Sequence, residues 1–381
     1  LLYLPDNPHK ILVLTFFVYN KLWYVNANPH SDQNAVRFPV YLLTGFLGSG
    51  KTTLLNAALR APAFAYTAVI VNELGEIGLD HLIVAEASDN VVLLDAGCLC
   101  CSLSGSLQET LADLAFRRAR KDLPPFERVV IETSGIADPA PLLNVLLGHP
   151  LVTDQYRLEA TVCTIDAQHL LDSRARYPEL DKQAAVAERI VVTKADRADQ
   201  DALVAVVALV KELNPDAELY SSTAETPAIS SFVALHETSK SRTKNKNQIS
   251  ISSLGPIQPH GRGSNIHAFS FRPQGRVTWA GWSAWSRLVA AEFGDRLIRV
   301  KGLLRMEENG EIALVQGVQG VFHPPQRFRD WPDADHGNRL VCIARDLEQS
   351  VLEATLAVLN TAPGTQAVYS LRELQEREAQ Q

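Results

Sequence analysis

The residues from Gly45 to Thr53 have the types and spacing of a phosphate-binding loop. The stretch 45–52 is GFLGSGKT and fits the pattern G-x-x-x-x-G-K-[ST], in which backbone N–H groups surround a β-phosphate. In that pattern Lys51 reaches the β- and γ-phosphates, and Thr52 binds Mg²⁺. We therefore predict a nucleotide site formed by Gly45, Gly48, Ser49, Gly50, Lys51, Thr52 and Thr53.

A second motif supplies a carboxylate. The apolar run 129–131 leads into Glu132, and a short turn then reaches Gly135. A carboxylate at this place would hold Mg²⁺ through water or polarise the attacking water, and the Gly135 amide would sense the γ-phosphate. An apolar strand that ends in glutamate is common, so this prediction depends on the phosphate loop upstream. The predicted catalytic residues are Lys51, Thr52 and Glu132.

A third motif would select the base. Residues 193–196 are TKAD, which resembles the [NT]KxD element that recognises guanine in GTPases. The Asp196 carboxylate would accept hydrogen bonds from guanine N1–H and the exocyclic amine, whereas adenine has no such pair of donors. Thr193 stands where asparagine is commoner, and the stem of Lys194 would cover one face of the base. These three residues predict binding of GTP, and an ATP-dependent kinase is the disfavoured alternative.

Three cysteines crowd into the sequence GCLCC at 97–101. Cys98, Cys100 and Cys101 are too close together to bridge one another readily, and thiolates favour soft or borderline metal ions. Zn²⁺ is the first choice for this site, with Cu(I) or Co²⁺ as alternatives, and an open fourth position would suit transient delivery. A redox pair or inert thiols is the competing interpretation. Cys163 and Cys342 lie in apolar runs and are predicted to be buried and structural.

An acidic segment punctuated by glycines follows the second predicted strand. Residues 72–80 are NELGEIGLD, a composition typical of a mobile switch segment. We predict that Glu73 contributes to a metal site, either at Mg²⁺ or at the cysteine-bound ion. For Glu76 and Asp80 a solvated acidic turn is an equal alternative.

The motifs require elements that bring them to one place. From Pro39 onward, short apolar runs typical of strands alternate with longer runs that have helical spacing. This alternation predicts an α/β fold, here the P-loop NTPase fold, with a mostly parallel sheet flanked by helices. The predicted strands are 40–44, 68–71, 90–94, 128–131, 160–165 and 189–192, and the first predicted helices are 52–60 and 107–120.

Composition also divides the chain into segments. Residues 236–264 are rich in Ser, Lys, Asn, Gly and Pro, which is typical of a flexible linker. We predict a P-loop GTPase domain at 39–235 before it and a smaller α+β domain at 265–360 after it. The second domain has predicted strands at 267–271, 296–304, 312–318 and 339–344, with helices at 282–293 and 346–360. The polar tail 361–381 is not assigned.

The first 38 residues are treated separately. They contain an apolar patch at 11–19, which is too short to span a bilayer. A signal-peptide core fits this patch by length alone, but no small-residue cleavage site follows it. We expect an N-terminal extension at 1–38 that is poorly ordered or results from a misplaced start site.

Charge and cysteine usage limit the partners and the compartment. The 381 residues are 46% apolar and 21% charged, which is ordinary for a globular protein, and their net charge is −7. This charge gives no case for nucleic acid or an anionic membrane as a partner. Clustered free thiols suit a reducing compartment, so we predict a cytoplasmic protein.

Taken together, the motifs resemble those of the CobW family of GTPases, which are related to the UreG, HypB and MeaB metallocentre-assembly proteins. The resemblance covers about 40–347 and includes GFLGSGKTTLLN, NELGEIGLD, GCLCC, VVIETSGIADP and TKAD. A CobW-type C-terminal domain is recognised in RVKG at 299–302 and QGVQ at 316–319. The resemblance implies that the first domain binds GTP and Mg²⁺ and that the three clustered cysteines bind Zn²⁺ or a similar ion. It further implies that the second domain docks a client protein.

The interpretation that unites these features is a GTP-hydrolysing metallochaperone or metal-insertion factor. Its expected partner is a client metalloprotein or a cofactor-assembly enzyme, and a nucleotide-dependent homodimer is the other partner considered. The alternative is a GTP-dependent regulatory switch in which the cysteines sense metal or redox state.

Overall fold

The computed structural model of the chain describes residues 37–71, 91–95, 105–232, 265–362, 364–365 and 370–372. The predicted N-terminal extension apart from its last two residues, the segment 72–80, the cysteines at 98–101 and the predicted linker from 236 onward lie outside these residues.

The first domain is built on one parallel sheet. Its strands are β1 (Phe38–Gly45), β2 (Thr67–Val71), β3 (Val91–Asp95), β4 (Arg128–Glu132), β5 (Tyr156–Asp166), β6 (Arg189–Thr193) and β7 (Glu218–Ser222). They lie in the order β3-β2-β4-β1-β5-β6-β7. Every neighbouring pair is parallel. The predicted α/β class and the mostly parallel sheet are thus confirmed.

The apolar runs become strands because the sheet buries both of their faces. All residues of β2 and of β6 are buried, which is what a parallel sheet covered by helices requires. The helices are α1 (Lys51–Leu59), α2 (Gly105–Ala119), α3 (Ala140–Gly148), α4 (Pro150–Thr153), α5 (Leu170–Arg174), α6 (Glu179–Val186) and α7 (Gln200–Leu213). The predicted stripe of Leu107, Leu111 and Leu114 on α2 is confirmed, since all three are fully buried.

In the first domain, two strands depart most from the sequence prediction. β5 begins at Tyr156, four residues before the predicted start, because it extends along β1 past a register shift at Val40/Tyr41. The charged residues Arg157 and Glu159 interrupt the apolar pattern, so the sequence did not predict this extension. β7 was missed because its sequence, ELYSS, is not strongly apolar, although it pairs with β6 over its whole length.

The second domain is an antiparallel sheet packed against one long helix. Its strands are β8 (Ile266–Phe271), β9 (Leu297–Arg305), β10 (Ile312–Val318), β11 (Val321–Phe322), β12 (Gln326–Phe328) and β13 (Arg339–Arg345). The order is β11-β10-β9-β13-β8, and β12 also pairs with β10. On helix α8 (Trp279–Phe293), Trp282 and Trp285 stack with ring centroids 5.5 Å apart and meet Phe322 edge-on.

The C-terminal helix begins later than the sequence suggests. A helix from residue 346 was predicted, but α9 spans Gln349–Thr355 and a 3₁₀ helix continues over Leu356–Asn360. Asp346 has φ of 53°, a left-handed conformation that an α-helix cannot contain, and its N–H donates to the Asn265 carbonyl. The described residues contain no helix that is both long enough and apolar enough to cross a membrane.

The two domains share an interface that is partly apolar and partly ionic. Ile266, Ile298, Val318 and Ile343 of the second domain belong to the core cluster of the first. Beside this cluster, Arg299 donates to the Ala187 carbonyl at 2.8 Å and pairs with the Glu188 carboxylate.

Glu188 also accepts a hydrogen bond from the Thr161 N–H at 2.7 Å. Burial raises the pKa of Glu188, but the charges of Arg299 and Lys301 and the Thr161 hydrogen bonds outweigh burial and hold that pKa below its ordinary value. The ionised form of Glu188 is therefore the form that stabilises the interface.

We expect Arg299→Met to lower the free energy of unfolding by about 2–3 kcal/mol at neutral pH, because among the described residues it leaves Glu188 with the more distant Lys301 as its cation. Since the folded pKa of Glu188 lies below its ordinary 4.5, this stabilisation is present above pH 4.5 and is lost as the pH falls through the folded value. The difference in free energy of unfolding between the wild type and Arg299→Met should therefore become smaller in acid. Urea unfolding at several pH values measures it.

The matched control is Arg305→Met on the exposed end of the same strand, which should change stability by less than about 0.5 kcal/mol. A deficit of Arg299→Met that is the same at about pH 7 and about pH 3.5 would contradict the role given to Glu188.

Candidate functional site

The phosphate loop leaves β1 and enters α1 as the sequence predicts, and its glycines have conformations that other residues avoid. Gly45, Gly48 and Gly50 have φ of 136°, 72° and 90°. A Cβ on Gly45 would lie 2.4 Å from the carbonyl oxygen of Thr164, so β5 leaves no room for a side chain there. The loop therefore follows a path that only this glycine pattern permits.

The start of α1 is arranged for an anion. Gly50 is the N-cap residue and makes no side-chain cap, so the first N–H groups of the helix point outward with the positive end of its dipole. The Lys51 ammonium lies over the loop, where Nζ donates to the Gly45 carbonyl at 2.9 Å and to the Phe46 carbonyl at 3.2 Å. The side chain of Thr53 is exposed on the helix.

Two side chains that carry oxygen atoms are in contact beside the start of α1. Thr52 Oγ1 donates to Glu132 Oε1 at 2.7 Å, although the two residues are 80 positions apart in the chain. The contact exists because β4 pairs with β1 in a register that sets Leu43 against Glu132. A hydroxyl and a buried carboxylate are hard oxygen donors of the kind that Mg²⁺ prefers, so these two side chains fit such an ion.

The loop after β4 lies directly on the phosphate loop. A Cβ on Gly135 would lie 2.5 Å from the backbone nitrogen of Leu47, so glycine is required for the two backbones to approach. Thr133 continues the pairing, since its N–H donates to the Leu43 carbonyl at 2.9 Å and its Oγ1 donates to Thr44 Oγ1 at 3.1 Å. The Gly135 backbone thus lies within reach of a group held by the phosphate loop.

The Thr193 hydroxyl joins the TKAD element to the phosphate loop. Its Oγ1 contacts the Ser49 carbonyl at 2.7 Å and the Ile165 carbonyl at 3.1 Å. Ser49 is held from the other side by a 2.7 Å contact between its Oγ and Thr164 Oγ1. Thr193 therefore fixes the distance between the predicted base element and the predicted phosphate site.

Lys194 is positioned by a residue that the sequence motifs do not contain. Lys194 has φ of 54°, and its Nζ lies 2.7 Å from Asp166 Oδ2 at the end of β5. His169 Nδ1 contacts the same oxygen at 2.9 Å. Burial acts to raise the pKa of Asp166, but hydrogen bonds from Lys194, His169 and the Gln168 N–H outweigh it and lower that pKa. The sequence feature that indicates Asp166 is its position directly after the apolar run TVCTI at 161–165.

Asp196 is in a different environment from Asp166. Its side chain is 43% exposed, and its nearest charged partner is Arg197 at 3.9 Å. The Arg197 N–H donates to the Lys194 carbonyl at 2.9 Å and closes the turn. Asp196 is therefore accessible to a ligand at the edge of the sheet.

The predicted thiolate site is not among the residues that the structure describes. Cys98, Cys100, Cys101 and Glu73 lie outside the described residues, among which no group of three or more potential metal ligands occurs. Cys163 and Cys342 are buried, as predicted. Burial raises the pKa of both thiols to about 12, which disfavours the thiolate that a metal requires.

Family models match both domains. A model described as the CobW/HypB/UreG nucleotide-binding domain matches residues 39–221, and a model of the cobalamin synthesis protein cobW C-terminal domain matches residues 266–359. Between them the two matches cover more than two thirds of the chain.

Similar proteins are described as zinc proteins. The zinc chaperone YjiA of Escherichia coli is 36% identical over 161 residues, which are 42% of this chain and 50% of YjiA. The chain thus spans half the length of this relative in sequence. Zinc-regulated GTPase metalloprotein activator 1 of Schizosaccharomyces pombe is 25% identical over 347 residues, which are 82% of this chain and 83% of that protein.

A solved structure supports the fold. The Zn(II)-bound YjiA GTPase of E. coli superposes with a TM-score of 0.58 at 23% identity, over 85% of this chain and 99% of that chain. At this identity the likeness bears on the fold alone.

We expect Thr193→Val to lower the free energy of unfolding by about 1–3 kcal/mol, because the one O–H that contacts the buried carbonyls of Ser49 and Ile165 is lost while the side-chain volume stays similar. Thr193→Ser retains the hydroxyl and should cost less than about 1 kcal/mol. Urea unfolding gives the stability, and titration with nucleoside triphosphate should show weaker binding for Thr193→Val alone. If Thr193→Val and Thr193→Ser have the same free energy of unfolding and the same nucleotide affinity, the Thr193 hydroxyl does not position the phosphate loop.

Proposed function

Because the chain belongs to the CobW/HypB/UreG family of nucleotide-binding proteins, we propose that it is a GTP-hydrolysing metallochaperone that carries Zn²⁺ to a client protein. The observation that carries this proposal is the convergence of three motifs at the carboxyl ends of β1, β4 and β6. Two contacts of 2.7 Å hold them together, from Thr52 to Glu132 and from Thr193 to Ser49.

The roles of the residues follow from their positions. Lys51 and the N–H groups at the start of α1 bind the phosphates, and Thr52 and Glu132 hold Mg²⁺. When bound, Mg²⁺ would supply positive charge that offsets the negative charge of the phosphates. Glu132 also orients the attacking water, and the Gly135 amide contacts the γ-phosphate. Lys51, Thr52 and Glu132 are held by the contacts described above, and groups that are held in advance lower the entropic cost of reaching the transition state.

Base selection rests on two side chains in different environments. Asp196 is exposed enough to accept two hydrogen bonds from guanine, while Asp166 holds the Lys194 ammonium so that the lysine stem lies across one face of the base. A site that supplies an acceptor for two donors discriminates against adenine, which would leave the carboxylate unpaired.

The cargo would be held by Cys98, Cys100, Cys101 and, at its edge, Glu73. The flanking residues Asp95 and Gly105 are the last residue of β3 and the first residue of α2. β3 therefore ends at the same sheet edge as the strands that carry the nucleotide motifs. We infer that nucleotide state and metal binding influence each other and that hydrolysis releases the ion to the client. The likeness to a protein described as a zinc chaperone supports Zn²⁺ as the cargo.

Asp196→Asn tests the nucleotide. We expect it to weaken GTP binding by about 10- to 100-fold, because an amide replaces a charged acceptor of two hydrogen bonds. Titration calorimetry with GTP, GDP and ATP measures the effect, and ATP should bind the wild type far more weakly than GTP. The control is Asp199→Asn, which lies at the N-cap of α7 and accepts from the Ala202 N–H. Equal binding of ATP and GTP to the wild type would exclude the proposed base selection.

The double variant Cys100→Ser, Cys101→Ser tests the cargo. The wild type, purified under reducing conditions, should bind about one Zn²⁺ per chain and turn over GTP faster with Zn²⁺, whereas the double variant should lose both properties. Cys342→Ala is the matched control, because that thiol is buried in the second domain and should leave metal content unchanged.

Two outcomes of the cysteine experiment would count against metal delivery. An equal response of wild type and double variant to Zn²⁺ would remove the link between cysteines and turnover. Stoichiometric Zn²⁺ binding without any change in turnover would instead favour the regulatory switch.

A further inference from the structure

Residues 135–138, here called the 135–138 loop, are contacted by the second domain. At the end of this loop, Asp138 Oδ1 accepts from the Ala140 N–H at 3.0 Å, where α3 begins. Asp138 Oδ2 accepts from Lys182 Nζ of α6 at 3.1 Å and from Gln319 Nε2 at 2.8 Å. The Gln319 contact joins residues 181 positions apart and crosses between the domains.

Gln319 is held firmly by its own domain. It occupies the turn between β10 and β11 with φ of 48°, and its N–H donates to the Ile298 carbonyl at 3.1 Å. The next residue, Gly320, packs so closely that a Cβ would lie 2.9 Å from the Gly294 carbonyl oxygen. On the other side, Val318 is buried in the shared core. The backbone of Gln319 is therefore held in place by its own domain while its side-chain amide contacts Asp138.

Helix α6 provides a second connection to the same loop. Gln183 is fully buried, and its Nε2 donates to the Gly135 carbonyl at 3.1 Å and to the Ala137 carbonyl at 3.0 Å. At the end of α6, the Ala187 carbonyl accepts from Arg299 at 2.8 Å. The loop is thus connected to the second domain directly through Gln319 and indirectly through α6.

We propose that Gln319 is a positioning residue through which the second domain holds the 135–138 loop ready for the γ-phosphate. The inference rests on the proposed function, since it requires the Gly135 amide to contact that phosphate. A loop held in advance loses less conformational freedom when it binds, so the contact favours GTP over GDP. By thermodynamic reciprocity, GTP binding strengthens the Gln319–Asp138 contact and with it the docking of the second domain.

Gln319→Asn is the variant that tests this. Asparagine tolerates the left-handed backbone at this position, but its side chain is one methylene shorter and does not reach Asp138. We expect affinity for a non-hydrolysable GTP analogue to fall by about 5-fold or more and affinity for GDP to change by less than about 2-fold. Asp138→Asn should change the ratio of affinity for the GTP analogue to affinity for GDP by the same factor. The double variant should change this ratio no further than either single variant does.

Hydrogen exchange provides a readout independent of turnover. In the wild type, the GTP analogue should slow amide exchange at residues 318–323 more than GDP does, and Gln319→Asn should abolish that difference and speed exchange at 133–139. Gln326→Asn, the same substitution at an exposed position of β12, should behave as the wild type in both measurements.

The outcomes separate this inference from the proposed function. If the wild type prefers GTP and Gln319→Asn retains both the preference and the exchange response, the positioning role is overturned while GTP binding stands. Gly135→Ala, whose Cβ would lie 2.5 Å from Leu47 N, should remove the preference for GTP and shows that the assay detects loss of the γ-phosphate contact. If the wild type binds neither GTP nor GDP, the proposed function fails and this inference with it.

Discussion

No side chain fits at Gly45, and the rest of the site depends on that constraint. A Cβ there would lie 2.4 Å from both the carbonyl oxygen and Oγ1 of Thr164. The chain can therefore leave β1 only through a glycine conformation, and it turns back at once into α1. The same closeness of β1 and β5 lets Thr164 contact Ser49 Oγ at 2.7 Å. Backbone crowding at one position thus sets the path of the phosphate loop.

From this loop outward, each motif is held by contact with the preceding one. Ser49 offers its carbonyl to Thr193, and Thr52 donates to Glu132. Gly135 then packs on the backbone of Leu47. None of these contacts belongs to an isolated strand or helix, so the geometry of the site is a property of the assembled sheet. Parallel pairing makes this possible because it brings the carboxyl ends of the strands to a single edge.

The sequence predicted the parts of the site that have a fixed local pattern. The phosphate loop, Glu132 and TKAD are recognisable because each combines glycine or acid with a preceding apolar strand. Asp166 does end an apolar strand, but no motif names its role, and Gln183 and Gln319 carry no such pattern. Their partners lie 28, 48 and 181 positions away, and single-sequence periodicity has no access to contacts at such separation. β7 was missed for a related reason, since pairing with β6 rather than apolar composition makes it a strand. The late start of α9 depends on the backbone of Asp346, which helical periodicity does not reveal.

The interface between the domains uses two kinds of contact, and they have different mechanical consequences. The apolar contacts of Ile266, Ile298 and Ile343 hold the domains together without a preferred direction, and such surfaces tolerate small sliding movements. The hydrogen bond from Gln319 to Asp138 is directional, and so is that from Arg299 to Ala187, and each weakens steeply when its geometry is disturbed. A displacement of the 135–138 loop would therefore leave the apolar contacts largely intact while it changed the energy of the polar ones. An interface built in this way can keep the second domain attached throughout a nucleotide cycle and still let its orientation follow the loop.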